Sequence, residues 1–415
     1  MKHNIITSFD VGTSYVRCII AKHTDLDDAV HILGVGIVPA EGMRRGAVID
    51  IADAANSIAA AATEAEEMSG ESITEATISI SGVGIAIEQV RGVIAVGKAD
   101  GEVAEDDVER VIASAQSIAA LTNKEAIHII PQTYRLDDQI GVKDPIGMRG
   151  VRLEVEAAVI SAPKNSVDNL VSAFNRADIR VRDFVIEPLA AAQAVLTKKQ
   201  KELGVVLINL GASTTSVVIY EEGEVIHTAI IPVGADFITH DLAIGLRTSL
   251  DTAEKVKIAY GSAIYGDIKR TDEINLSEID PHEDGTVRHD HVVEIVSARL
   301  EEVFELVRKE LVTSGKDKLL PAGAVLTGGG TNLVYVVDLA KDLLELPVQI
   351  GYADGLLGVM DHVDDPSHAT AVGLILWQEE FGEASDASES MLGGVGQGAA
   401  TVVESAHNMI KRFLP

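Results

Sequence analysis

Short apolar runs alternate with helical stretches from one end of the chain to the other, the pattern of α/β units. The first unit reads as strands over Asn4–Asp10, Ser14–Lys22 and His31–Val38. An alanine-rich helix over Ile51–Met68 follows, with Asp50 as its N-cap, and then a strand over Ala76–Val83. From about 82 to 161 the texture changes to that of a small α+β insertion. It holds a strand over Gly92–Val96, an acid-led helix over Glu105–Ala119, a strand over Ile127–Arg135 and a strand after GVKDPIGMRG. A helix from Ser166 to Arg176 and a strand over Arg182–Ile186 return to α/β, and a helical region fills 235–314. The strand in AVLTGGG leads into a helix over Leu333–Leu344, and Ala369–Trp377 forms the last helix of the body.

Two runs half a chain apart share one order of residue types. SFDVGTSYVRCIIAKH and LINLGASTTSVVIYEEG each read strand, Asp or Asn, Gly, hydroxyls, strand, and each continues into another β-rich stretch. The repeat implies two related half-molecules. A glycine after a strand lets backbone N–H groups approach a phosphate closely, and serine and threonine hydroxyls add donors. One such loop is equally an ordinary β-turn. Two of them facing each other would grip one polyphosphate from both sides. The candidates are Asp10, Gly12, Thr13 and Ser14 in the first run, and Asn209, Gly211, Ser213, Thr214 and Thr215 in the second. Asp10 would hold a hydrated Mg²⁺, an ion that takes one or two carboxylates and keeps water. LTGGGTNL adds Gly328, Gly329 and Gly330, small enough for a flat ring or ribose to lie against the backbone. Glu254 and Lys257, at i,i+3 on one helix face, read by spacing alone as a surface ion pair.

The end of the chain differs in kind. Residues 378–400, QEEFGEASDASESMLGGVGQGAA, are acidic, then glycine-rich, and read as a linker. Beyond it, at 100° per residue, Val402, Val403, Ala406, Met409, Ile410, Phe413 and Leu414 share an arc of roughly 140°. Lys411 and Arg412 lie on the polar remainder, and Thr401 with Glu404 makes a capping-box start. This is an amphipathic helix, suited to an anionic membrane surface or to docking on its own body.

Composition narrows the classes. Hydrophobic residues make up 47% of 415, enough for several cores, and no apolar run approaches the roughly 18 residues a membrane span needs. MKHNIITSFDVG lacks the apolar core of a signal peptide. Cys18 is the one cysteine, so no internal disulfide forms, which fits a reducing cytoplasm. A net charge of −30 argues against nucleic acid as a partner. GVIAVGKA (92–99) mimics half of a P-loop, but Ala99 replaces the metal-binding hydroxyl and VIAV is strand-like. In RHDHVVE, His289 and His291 would lie about 200° apart on a helix, which disfavours a shared metal.

Two phosphate hairpins, then EPLAAA and TGGG in this order, resemble the actin-like ATPase superfamily. Within it the chain is similar to the FtsA family of bacterial division proteins, which tie FtsZ filaments to the membrane. The most specific stretches are IPQTYRLDDQIGVKDPIGMRGVRLE and DDPSHATAVGLILW. The resemblance implies a two-lobed actin-like α/β ATPase fold. Residues 1–81 with 162–197 would form subdomain 1A, 82–161 an inserted α+β subdomain 1C, 198–234 with 316–377 subdomain 2A, and 235–315 subdomain 2B. Residues 378–400 would be a flexible linker and 401–415 a membrane-targeting helix. It further implies ATP and Mg²⁺ as cofactors, Glu187 near the attacking water, and Glu254, Lys257 and Gly328–Gly330 around the nucleoside. The implied partners are the FtsZ C-terminal peptide on subdomain 2B, further copies of the chain in filaments, later division proteins and the membrane. The implied location is cytoplasmic, peripheral on the inner face of the membrane.

The second loop departs from the usual DIGGGTTD: it reads NLGASTTS, with Asn209 for a carboxylate and Ser216 for the closing acid. That loop is more similar to the one in PilM, the FtsA-like pilus-assembly protein, and a PilM-like platform is the alternative reading. A small-molecule kinase or phosphatase on the same fold is another, although no residues supply a second-substrate site. The departures imply at most weak ATP hydrolysis.

Overall fold

The computed structural model describes residues 5–24, 29–98, 100–119, 122–266, 272–359 and 363–381. The described residues divide into two compact units, one within 5–83 and 172–375, the other within 84–171 and 376–381.

The larger unit is built on two sheets of one design. In the first, strands Ile5–Val11, Tyr15–Thr24 and Ala29–Pro39 form an antiparallel meander, and Glu75–Ile80 and Arg180–Ile186 extend it in parallel on the other side of Ile5–Val11. In the second, Val205–Leu210, Thr215–Glu221 and Glu224–Ile231 form the meander, and Ala324–Thr327 and Val348–Ile350 extend it in parallel. The internal repeat in the sequence is thus a repeated sheet. Asp10 pairs with Arg17 as Asn209 pairs with Ser216, so the two hairpins share register.

The alanine-rich helix spans Ile51–Ser69, and the Asp50 carboxylate accepts from the amides of Ala52 and Asp53 at 2.8 and 3.1 Å. Helices Ala235–Leu246, Leu250–Tyr260 and His289–Thr313 occupy the helical region, with a small hairpin, Glu273–Asn275 and Thr286–Arg288, between them. Their apolar faces (Leu242, Val256, Val296, Phe304) join the second sheet in one cluster, so residues 235–315 share a core with that sheet. Several boundaries differ from the sequence reading: the strand expected over Gly92–Val96 spans Ala86–Ala95, and the one expected over Ala76–Val83 spans Glu75–Ile80. Gly329–Asn332 is a 3₁₀ turn, and the helix expected from Leu333 begins at Val336, because Tyr335 has a left-handed φ of 61°. The last helix spans Ala369–Phe381, so residues 378–381, expected in the linker, continue it. The rest of the linker and the amphipathic segment 401–415 lie outside the described residues.

The smaller unit carries a four-stranded antiparallel sheet in the order Ala86–Ala95, Arg152–Pro163, Lys124–Leu136, Gln139–Val142. Helix Glu105–Ile118 packs Val108, Val111 and Ile112 against Ile129, Val155 and Val159. The P-loop mimic begins inside the first of these strands. Among the described residues, no helix is long and apolar enough to cross a membrane.

Helix Ala369–Phe381 is gripped at its first turns by two elements of the larger unit. Ser8 Oγ donates to the Ala371 carbonyl at 2.9 Å, and a Cβ on Gly373 would stand 1.7 Å from the carbonyl oxygen of Ala190, on helix Glu187–Val195. Gly373→Ala gains about 1 kcal/mol of helix propensity, while forcing two helices apart costs about 1–3 kcal/mol. The clash is with backbone and cannot rotate away. Net destabilisation of up to about 2 kcal/mol is therefore expected, read as a lower midpoint in thermal or urea unfolding; a raised midpoint would refute the close approach.

Candidate functional site

The two hairpin turns are built alike. The Gly12 amide donates to the Tyr15 carbonyl at 3.0 Å, and the Gly211 amide donates to the Thr214 carbonyl at 3.0 Å. A Cβ at either glycine would stand within 3 Å of the same carbonyl, 2.8 Å at Gly12 and 2.9 Å at Gly211. Both turns open onto one cavity of about 610 Å³. They touch across it: Ser213 Oγ donates to Thr13 Oγ1 at 2.8 Å, and the Gly46 amide donates to the same Thr13 oxygen at 3.1 Å. Ser14 hydrogen-bonds the Asp236 carboxylate, at the start of helix Ala235–Leu246. That helix is seated on the second turn, its Ala235 and Asp236 amides donating to the carbonyls of Gly211 and Ala212 at 2.9 and 2.7 Å.

Carboxylates gather on one wall. Asp10 is buried and accepts from Ser79 Oγ at 2.9 Å, with the Arg17 guanidinium 3.9 Å away. Burial raises its pKa, and Arg17 and Ser79 oppose the rise. Glu187 opens helix Glu187–Val195, and Asn209 Nδ2 donates to its Oε1. Burial, with the charge of Asp10 adding to it, pushes Glu187 up to about 7, against the pull of its polar neighbours. A carboxylate at that pKa can take a proton from water near neutral pH.

Glu254, Lys257 and the glycines complete the lining. Lys257 Nζ lies 2.7 Å from Glu254 Oε2 and donates to Thr239 Oγ1 at 2.9 Å. Lys257 is buried, so this is a wall of the cavity and not the surface pair that spacing suggested. Gly328 has a φ of +88°, and a Cβ there would meet Asn209 Oδ1 at 2.1 Å and the Leu210 carbonyl at 2.7 Å. Only glycine brings the third loop this close to the second hairpin.

Of the residues expected to bind, Asp10, Gly12, Thr13, Ser14, Glu187, Asn209, Gly211, Ser213, Thr214, Glu254, Lys257, Gly328, Gly329 and Gly330 all line this cavity. Thr215 does not. It is the first residue of the return strand, fully buried, and its hydroxyl donates to the Val233 carbonyl at 2.8 Å. Arg17 and Asp236 also line the cavity, and the sequence reading passed over both. Arg17 was legible: counting outward from the turn places it opposite Asp10. Asp236 carried no comparable signal. The histidine cluster disperses, since His289 Nε2 pairs with the Tyr260 carbonyl at 2.9 Å while His291 faces Glu294.

A raised carboxylate pKa has a defined sign. The stability Glu187 contributes is fully present below its unfolded value of 4.5 and is lost as pH rises through about 7. Glu187→Gln lacks that proton. The wild-type unfolding midpoint should therefore fall relative to that of Glu187→Gln between pH 4.5 and 7. Parallel pH profiles would show that the carboxylate is not desolvated.

Comparison with known proteins agrees with this architecture. The family model for cell division protein FtsA matches residues 206–373, and that for the SHS2 domain inserted in FtsA matches residues 82–161. The chain is 35% identical over 373 residues to the cell division protein FtsA of Pseudomonas aeruginosa, covering 90% of this chain and 89% of that one. It is 36% identical over 373 residues to the FtsA of Bacillus subtilis, covering 90% and 83%. Among solved structures, the PilM–PilN type IV pilus biogenesis complex superposes with a TM-score of 0.61 at 15% identity, over 89% of this chain and 97% of that one. MreB 5 of Spiroplasma citri bound to AMPPNP superposes with a TM-score of 0.54 at 13% identity, over 94% and 100%. These structures establish an actin-like α/β fold, and the sequence relatives establish more: the chain belongs to the FtsA family of cell division proteins.

Proposed function

We propose that the cavity binds ATP and that the chain is a nucleotide-dependent scaffold which polymerises and ties FtsZ filaments to the cytoplasmic membrane. The observation that carries the nucleotide reading is the contact between the two turns, Ser213 to Thr13. Hydroxyls and glycine backbone that meet at hydrogen-bond distance across a cavity can exchange that bond for the oxygens of one polyphosphate held between them. Thr13, Ser14, Ser213 and Thr214 would hold the phosphates, with Arg17 as the cation on the same wall. Glu254 and Lys257 would face the ribose, and Gly328–Gly330 would let the nucleoside lie against backbone.

Asp10 fits Mg²⁺: it is a buried carboxylate on the cavity wall, and Mg²⁺ needs only one or two carboxylates when phosphates and water complete its shell. The ion would neutralise phosphate charge. Glu187 would orient the attacking water and accept its proton. Asn209 adds no charge, which supports slow turnover, suited to a filament whose nucleotide sets its assembly state.

The scaffold reading rests on the family and on the tail sequence. Helices within 235–315 are the proposed seat of the FtsZ C-terminal peptide, and later division proteins would join the same assembly. The linker's roughly 20 residues reach about 25 Å, enough to hold the acidic body of this chain, whose net charge is −30 overall, away from anionic lipid. Met409, Ile410, Phe413 and Leu414 would each contribute up to about 1.5–3 kcal/mol if fully buried, and less at an interface. Lys411 and Arg412 would add about 1 kcal/mol each near anionic headgroups. After the helix is ordered, one tail binds weakly. Many tails on a filament bind firmly, because each later attachment occurs at high effective concentration.

Two measurements test this. Gly211→Val should abolish ATP-dependent thermal protection, since its Cβ would crowd a carbonyl 2.9 Å away inside the turn; a folded variant that keeps full protection refutes the two-turn grip. Phe413→Glu, or deletion from Val402 onward, should leave folding and ATP binding intact and remove co-sedimentation with anionic liposomes. A truncated chain that still sediments, or that loses stability as removal of a docked helix would require, refutes the anchor.

A further inference from the structure

Asn209 and Asp10 occupy equivalent positions at the ends of equivalent strands, yet they are used differently. Asp10 faces Ser79 and Arg17 within its own half. Asn209 reaches out of its half: Nδ2 donates to Glu187 Oε1 and lies 3.5 Å from Thr370 Oγ1, while Oδ1 sits over Gly328 in the space a Cβ would need. Glu187 opens helix Glu187–Val195, and Thr370 belongs to helix Ala369–Phe381. One amide therefore joins the second hairpin to the start of the helix that links the two sheets.

The chemistry of this contact depends on the amide. An N–H can face an ionised carboxylate directly, whereas a second carboxylate at the same place would repel it unless a cation or a shared proton stood between them. We propose that Asn209 is a positioning residue that holds Glu187 by a direct hydrogen bond, and so makes this junction independent of a divalent cation. A carboxylate at position 209 would need either the ion or an extra proton to make the same connection, and at alkaline pH the proton is the harder of the two to hold. The metal requirement of the site then falls on Asp10 and the nucleotide alone. This last clause rests on the ATP reading; the junction itself does not.

The test uses the full chain without nucleotide at pH 8, where exposed carboxylates are ionised, in EDTA and in millimolar Mg²⁺. The wild-type unfolding midpoint should be the same in both. Asn209→Asp should lie several degrees lower in EDTA and recover in Mg²⁺. Asn209→Ala should be lower in both, without recovery. The double variant Asn209→Asp with Glu187→Gln exchanges amide and carboxylate, so its midpoint in EDTA should rise above that of Asn209→Asp and lose its response to Mg²⁺. That rescue separates a specific contact from general damage, and an Asn209→Asp chain that folds only in Mg²⁺ is the same result in stronger form. The proposal is overturned if Asn209→Asp matches the wild type in EDTA, if the wild type gains as much from Mg²⁺ as the variant does, or if the double variant is not rescued. Titration of a fluorescent ATP analogue forms the second arm. Removing Mg²⁺ should weaken Asn209→Asp at least about tenfold more than the wild type, about 1.4 kcal/mol. A wild type that binds no nucleotide, with the metal arm as expected, refutes the ATP reading and supports the junction.

Discussion

The hydrogen bond from Ser213 Oγ to Thr13 Oγ1 is the contact at which the two hairpin turns of the larger unit meet. It exists because each sheet ends one hairpin in the same tight turn, glycine amide to carbonyl three residues on, and because the turns face each other. The helices around the turns depend on the same requirement: Ala235–Leu246 is seated on the carbonyls of the second turn, and its Asp236 binds Ser14 of the first.

Charge in the cavity is the second constraint. Arg17 and Lys257 line it together with Asp10, Glu187, Asp236, Glu254 and Asp365. Such a set tolerates burial only by mutual pairing and by proton uptake, which is why Asp10, Glu187 and Asp236 all have raised pKa values. An anionic ligand entering it requires counter-charge of its own, and that makes a cation-bearing polyphosphate a better fit than a bare one. The acidic surface of the chain does not decide the matter, because surface charge is screened over about 10 Å and the cavity is not.

The replacement of a carboxylate by Asn209 bears on both constraints at once. It removes a negative charge from an already acidic wall and supplies a donor to Glu187. The connection at position 209 is made by protein atoms alone.

The sequence by itself determined the repeat, the two turns and the residues within them, because strand–glycine–hydroxyl–strand is local chemistry that needs no distant partner. It also determined the alanine-rich helix with its Asp50 cap, and the change of texture at the insertion, for the same reason. Tertiary structure decided which of those residues face the cavity. Thr215 looked equivalent to Thr214, but strand alternation turned its hydroxyl toward the Val233 carbonyl. Lys257 looked like half of a surface pair until the helix carrying Thr239 covered it. Tyr335 delayed a helix by a backbone angle that no apolar period records. The bond from Asn209 to Glu187 could not be read at all, since it joins residues on separate elements and depends on how closely Gly328 lets the third loop approach. Periodicity and turn chemistry report on neighbours along the chain, and a site is made where elements distant in sequence meet.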